Sequence, residues 1–219
     1  MTLKLYAHPF SSYCQKVTIA MYERDVPFEL RLLDPGDEPT MTEWVNLWPL
    51  KRMPVLVDGD RTVVESSIII EYLDLHHASH GRLVPEDPGR ALDVRMMDRF
   101  FDNYIMTPMQ KIVADSMRPE DGHDPQGVAK AHAMLDTAYR WLDKTLTDRE
   151  WAAHEVFSLA DCAAAPSLFY ADWVHRIDAP FAHVRAYRQR LLARPSVARA
   201  VDEARPYRSF FPPGAPDRD

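Results

Sequence analysis

Cysteine is nearly missing from this chain: its 219 residues include two, Cys14 and Cys162, far apart and each flanked by helical spacing of apolar residues. Disulfides therefore do not organise the fold, and the composition fits a reducing compartment such as the cytoplasm. Glycine is scarce too. The seven present form no close array of the kind that wraps a phosphate, which excludes Gly-rich nucleotide loops. Long apolar runs are lacking. The best stretch, Val156 to Val174, carries Asp161 and Asp172 and falls short of the roughly 18 apolar residues that a membrane span requires. The first residues show neither the charged start nor the apolar centre of a secretory leader. Positive charge is in deficit, with 26 Lys and Arg against 33 Asp and Glu. A nucleic-acid partner is not expected, because counterion release needs clustered cations. Arg185, Arg188, Arg190, Arg194, Arg199, Arg205 and Arg208 form a locally basic stretch that reads as a solvated helix face. His76, His77 and His80 crowd together, but no cysteine or paired carboxylate completes a ligand set, so no metal is expected.

What the chain does have is 46% apolar and 27% charged residues, enough for a core in one large domain or two modest ones. Leu3 and Leu5 alternate with Lys4 and Tyr6 as in a short strand, and Cys14, Val17, Ala20 and Met21 follow at helical spacing. Phe28, Leu30 and Leu32 alternate as a second strand. After a helix and loop ending at Trp48-Pro49, Val55 to Val64 reads as a hairpin turning at Asp58-Gly59. Ser66 or Ser67 is placed to cap the next helix. The order βαβ, a connection, then ββα predicts a small mixed sheet with helices on its faces over residues 1–78. Residues 79–90 read as a linker, and 91–219 as an all-helical bundle with an irregular tail from Phe210. Within the bundle a long helix is expected to kink at Pro108. Ser158 and Asp161 form a capping-box variant, with Phe157 placed to staple onto Cys162. The Ala163–Ala165 helix, apolar nearly all round, is expected at the centre.

Three short stretches carry chemistry. Ser11-Ser12-Tyr13-Cys14 has the spacing of a redox Cys-x-x-Cys pair with oxygen in place of the first sulfur, at a strand-to-helix turn. Unpaired N–H groups at that helix start favour negative charge. A serine hydroxyl there can donate to an external thiolate, a bond of about 1.5–3 kcal/mol. That lowers a thiol pKa from about 8.5 by roughly one to two units. The competing role for Ser11 or Ser12 is a plain helix cap. In the second stretch, Lys51-Arg52-Met53-Pro54, a cis Met53-Pro54 bond would turn the Met53 backbone outward to pair with an extended peptide, although the sequence alone favours trans. In the third, Glu65-Ser66, an acid beside a hydroxyl and free helix-start N–H groups fits an amino-acid zwitterion; a cap and a first-turn acid is the alternative. Met96, Met97, Met106, Met109 and Met117, with Phe100, Phe101 and Tyr104, read chiefly as core, and otherwise as an apolar pocket wall.

Taken in order along nearly the whole chain, these stretches resemble the glutathione transferase superfamily, in its Ser/Cys-type members such as the theta, zeta, beta and omega classes. The matching segments are Leu5-Tyr6 through Ser11 to Val17, Trp48-Pro49 through Met53-Pro54-Val55-Leu56-Val57, Glu65-Ser66, and Phe157-Ser158-Leu159-Ala160-Asp161. The resemblance implies a thioredoxin-like domain first and a helical domain after it, usually as a homodimer. It implies glutathione as cosubstrate, with a small hydrophobic electrophile or a hydroperoxide as its target. Ser11 falls where the family places its catalytic Ser or Cys, and Ser rather than Cys disfavours a mixed-disulfide reductase. Met53 and a cis Pro54 would pair with the cysteinyl backbone, Glu65 and Ser66 would hold the γ-glutamyl end, and Arg52 would lie near the glycyl carboxylate. Ser12 remains a second candidate for the thiol contact and Tyr6 a weaker one. The chain departs from the family pattern where Trp48 replaces Asn and Lys51-Arg52 replaces Gly-Lys. A non-catalytic ligand carrier or a dimeric scaffold with the same fold are the alternatives to an enzyme.

Overall fold

A computed structural model describes residues 2–77 and 81–219. Strand β1 (Leu3–Ala7), helix α1 (Ser12–Glu23), β2 (Phe28–Leu32), α2 (Glu38–Leu47), β3 (Val55–Asp58), β4 (Arg61–Val64) and α3 (Ser66–His76) come first. The sheet order is β2-β1-β3-β4, with β1 parallel to β2 and antiparallel to β3. Period-two alternation sorts the sheet's side chains between two cores. Leu3, Leu5, Ala7 and Leu56 join the large core beneath α1 and α3. Tyr6 and Val55 face a smaller one with Leu33 and Trp44 under α2. Gly59, first of the two turn residues between β3 and β4, takes φ 57°, the left-handed conformation that such a tight hairpin turn requires.

Helix α1 ends by the chemistry of a C-terminal cap rather than at a proline. Asp25 adopts φ 48°, and Val26 N–H and Asp25 N–H return to the Met21 and Tyr22 carbonyls at 3.0 and 3.3 Å. That is a Schellman arrangement with Asp where Gly is commoner.

The second part is helical throughout: α4 (Pro88–Phe100), a π-helical turn (Phe101–Met106), α5 (Thr107–Ser116), α6 (Pro125–Thr145), α7 (Leu159–Val174), α8 (Ala182–Leu192), α9 (Pro195–Ala204), and short 3-10 turns at Glu120–Gly122 and Arg205–Phe210. Helix α4 starts inside the stretch read as linker, because Asp87 accepts from Arg90 N–H at 2.8 Å and Pro88 suits a first turn. Ala78, Ser79 and His80 lie outside the described residues. The kink expected at Pro108 is a widened turn just before it. Thr107 N–H and its Oγ1 both bond to the Asp102 carbonyl, and Pro108 sits in the first turn of α5.

Helix α7 is the centre of the molecule, buried from Leu159 to Asp172 and packed on α1, α4 and the π turn. Its capping box is formed as read from the sequence: Ser158 N–H donates to Asp161 Oδ2 at 2.8 Å. Asp161 Oδ1 additionally accepts from Ala152 N–H at 2.9 Å and the Tyr187 hydroxyl at 2.6 Å. Phe157 packs edge-on to Trp151 and under the Arg194 guanidinium. Within the basic stretch, Arg194 chelates Glu23, Arg199 meets Glu203, and Arg205 and Arg208 hold the Asp219 carboxylate. Among the described residues no helix is long and apolar enough to cross a membrane.

Candidate functional site

A cleft of about 640 Å³ opens between the sheet's β1–α1 end and the α4–α5 segment of the helical part. On its sheet side lie Ser11, Lys51, Arg52, Met53, Pro54, Glu65 and Ser66, so one hollow brings together every residue singled out for binding in the sequence except the alternative thiol contacts, Ser12 and Tyr6. Three separate loops supply them, all at the same end of the sheet's strands.

Ser11 occupies the cap position of α1 with φ −80° and ψ 124°, yet its side chain makes no capping bond. Its hydroxyl is therefore not consumed by the helix it begins. Ser12 is buried within the first turn and does not line the cleft. Cys14 is fully buried, and burial pushes its thiol up to about 11, with an opposing pull from the Ser11 side chain and the His8 backbone. The thiol is accordingly protonated at neutral pH, and the Ser11 hydroxyl lies beside it. Tyr6 points to the other face of the sheet, where its hydroxyl donates to Glu43 at 2.9 Å; burial raises its pKa, and it lines no part of the cleft.

The β1–α1 turn is held from the helical domain. Gln15 Nε2, almost wholly buried, donates to the Pro9 carbonyl at 2.9 Å and to the Tyr170 hydroxyl at 3.0 Å. Tyr170 in turn donates to the Phe10 carbonyl at 2.9 Å and meets the Phe10 ring edge-on.

Met53-Pro54 is cis, as the family resemblance implies and against the preference of the bare sequence. The loop before it is fixed by Trp44 Nε1 donating to the Arg52 carbonyl at 3.0 Å, and by Lys51 N–H to the Trp48 carbonyl at 2.9 Å. Lys51 takes φ 54°. The resemblance places glycine here, the residue that takes a left-handed backbone most readily, and this chain takes that conformation with lysine.

Neither Ser66 nor Ser67 caps α3, contrary to the sequence reading. The cap position is Glu65, held at φ 70° and ψ 118° with no side-chain capping bond. Ser66 is the first helical residue, buried at the cleft floor. A non-glycine residue in this conformation is strained, and such strain tends to be retained where a side chain must be aimed at a ligand.

The Ser67 hydroxyl serves a network that the sequence did not reveal. It donates to Asp98 Oδ2 at 2.8 Å and accepts from Lys16 Nζ at 3.0 Å and Arg99 Nη2 at 2.8 Å. Lys16, on α1, is 1% exposed and meets Asp98 at 2.5 Å and Asp102 at 3.0 Å. Arg99 closes the network onto both aspartates. Burial raises the Asp102 carboxyl above the ordinary range, against the pull of Lys16. Paired in this way, two cations and two anions tie α1 and α3 to α4 behind the cleft, where any single one would be costly to bury.

The opposite wall comes from Arg99, Asp102, Asn103 and Gln110, and Tyr13 lines the cleft from the α1 side. Burial pushes the Tyr13 phenol up to about 12, so it faces the cleft as a neutral donor. None of the methionines and aromatics read as a possible pocket wall contributes. Met97, Phe101, Met106 and Met109 are buried core, while Met96, Phe100 and Tyr104 line an apolar groove with Met134 and Trp141 that adjoins the cleft through Arg99 and Asn103, which line both. Of the clustered histidines, His77 bonds to Asp58 at 2.8 Å and His76 packs against Tyr72.

Residues 5–81 match the family model for the glutathione S-transferase N-terminal domain, and residues 104–195 that for its C-terminal domain. Human glutathione S-transferase theta-1 is 28% identical over 78% of this chain and 73% of its own length. The crystal structure of a Methylobacterium radiotolerans glutathione S-transferase in complex with glutathione sulfonate superposes with a TM-score of 0.80 at 29% identity, covering 92% of this chain and 95% of that one. A Methylobacillus flagellatus glutathione S-transferase with glutathione bound gives 0.83 at 25% identity over 91% and 98%.

Proposed function

The chain belongs to the glutathione S-transferase family, and from that premise we propose that it binds glutathione along the sheet side of the cleft and ionises its thiol at Ser11 for transfer to an electrophile. The observation that carries this reading is Ser11: it lines the cleft at the N-terminus of α1, and its side chain is not used to cap the helix. Donating to a bound sulfur, it stabilises the thiolate by about 1.5–3 kcal/mol, which brings a thiol of pKa about 8.5 to roughly 6.5–7.5. The helix N-terminus adds to this in the same direction. Neutral Cys14 offers no competing negative charge.

The remaining contacts follow the chemistry of the tripeptide. Neither the Met53 N–H nor its C=O is used in any described backbone hydrogen bond, and both are available to the cysteinyl backbone. Glu65 holds the γ-glutamyl ammonium while Ser66 and the α3 N–H groups hold its carboxylate. Lys51 and Arg52 receive the glycyl carboxylate by charge. Conjugation, hydroperoxide reduction and double-bond isomerisation all begin from the same thiolate. Exposed Ile68 and Leu75 on α3, with Leu92 and Met96 on α4, support pairing with a second copy of the chain. The two buried free thiols support a reducing compartment, the cytoplasm.

The test is Ser11→Ala. Ultraviolet titration of bound glutathione is expected to show a thiol pKa near 7 in the unmodified protein and above 8 in the variant. Activity should fall while glutathione affinity at pH 6, where the thiol is protonated in either case, stays within a few-fold. A variant that kept both its turnover and its thiolate signal would show that Ser11 is not the activating group.

A further inference from the structure

The wall across from Ser11 presents polar side chains to the cleft: Arg99, Asp102, Asn103 and Gln110. Arg99 is half exposed; its Nε and Nη2 are fixed by Asp98, Asp102 and Ser67, while its Nη1 donates to no described group. Asn103 and Gln110, exposed on the π turn and on α5, line the same wall, and neither amide is engaged in a hydrogen bond among the described residues. Tyr13 adds a phenol kept neutral by burial. The wall's one carboxylate, Asp102, is buried and bound by Lys16 and Arg99, so its charge is answered from behind. Phe10, Tyr170, Trp173 and Phe211 pack on one another, Met97 and Met109 face the core, and Met96 lies in the apolar groove that adjoins this wall through Arg99 and Asn103.

Unpaired donors facing an open hollow are the mark of a site for an oxygen-rich ligand, since they lose water on binding and need acceptors in return. From this arrangement we infer that the second substrate carries a carboxylate, received by Asn103, Gln110 and the free edge of Arg99, with Tyr13 donating from the α1 side. The preference is thus for carboxylate-bearing electrophiles over purely apolar ones. The inference rests on the reading that glutathione occupies the sheet side of the cleft.

Three ligands separate the two ideas by titration calorimetry: glutathione, S-benzylglutathione and S-(4-carboxybenzyl)glutathione. The carboxybenzyl conjugate is expected to bind about tenfold tighter than the benzyl one, a difference of about 1.4 kcal/mol. In the double variant Asn103→Leu/Gln110→Leu, both changes on the surface and the fold checked by circular dichroism, the preference should vanish or reverse, with glutathione affinity within twofold of the parent. Equal or weaker binding of the carboxybenzyl conjugate to the parent protein overturns the inference, and so does a preference that survives in the double variant; in either case glutathione binding stands. Failure of all three ligands to bind refutes the glutathione reading as well.

Discussion

Replacing Glu65 by glycine should make the protein more stable and less able to bind glutathione at once. Glu65 is exposed at φ 70°, ψ 118°, a conformation that costs a residue with a Cβ about 1–3 kcal/mol. Glycine removes that cost but loses more chain entropy on folding, about 0.5–1 kcal/mol. The net gain is therefore on the order of 1 kcal/mol, or roughly 2–4 °C in Tm for a chain of this size. The side chain makes no capping bond, so nothing in the fold is lost with it. The ligand loses a charge-assisted contact of about 1.5–3 kcal/mol, a ten- to hundredfold weaker affinity. Glu65→Gln isolates the charge: its backbone stays strained, so its Tm should not rise, while its affinity should fall nearly as far. Thermal unfolding and calorimetry of the two variants read both quantities. A fall in Tm for the glycine variant, or unchanged glutathione affinity in both, would refute the view that strain is kept here to aim the carboxylate.

Lys16→Met leaves Asp98 and Asp102 buried with Arg99 alone to balance them, and should cost about 3–5 kcal/mol by chemical denaturation. Adding Asp102→Asn should recover part of that loss. Asp161→Ala removes the acceptor of the Ser158 and Ala152 N–H groups and of the Tyr187 hydroxyl, and should cost on the order of 3 kcal/mol or more; Ser158→Ala should cost about 1. His77, and after it Tyr72, hold Asp58 below the ordinary carboxylate range. With its folded pKa depressed, Asp58 contributes stability that is full above its unfolded value, near 3.8, and is lost as pH falls through the lower folded one. In His77→Ala, carbon-13 titration should find Asp58 moved back toward 3.8 and the acid limb of the stability profile shifted upward.

What could be read from the chain was the local chemistry. The strand-to-helix turn at Ser11, the hairpin at Gly59 and the box of Ser158 and Asp161 are each decided within a few residues, by turn preference, periodicity and capping. The residues lining the sheet side of the cleft were legible for the same reason, since they cluster at three loop ends. The opposing wall was not, because Arg99, Asn103 and Gln110 reach the cleft only once α4 is laid across α1 and α3, far away in sequence. Lys16 looks like any polar residue on an amphipathic helix, and its burial depends on aspartates some eighty positions later. Glu65 carried no sign of its left-handed backbone, because local preference does not put a glutamate at φ 70°. Ser66 or Ser67 was read as a cap from residue type; Ser66, read also as part of a zwitterion site, lines the cleft, and Ser67 serves the buried charges.

The hydroxyl of Tyr170 has a consequence for how this molecule can be divided. It closes a loop of bonds through Gln15 and the Phe10 carbonyl, so the turn that presents Ser11 is shaped by a side chain from the middle of α7. The first eighty residues carry the groups that would meet glutathione, yet not the brace that aligns them. Excised or grafted onto a foreign helical partner, that fragment would lose the bonds that hold its Ser11 turn in place.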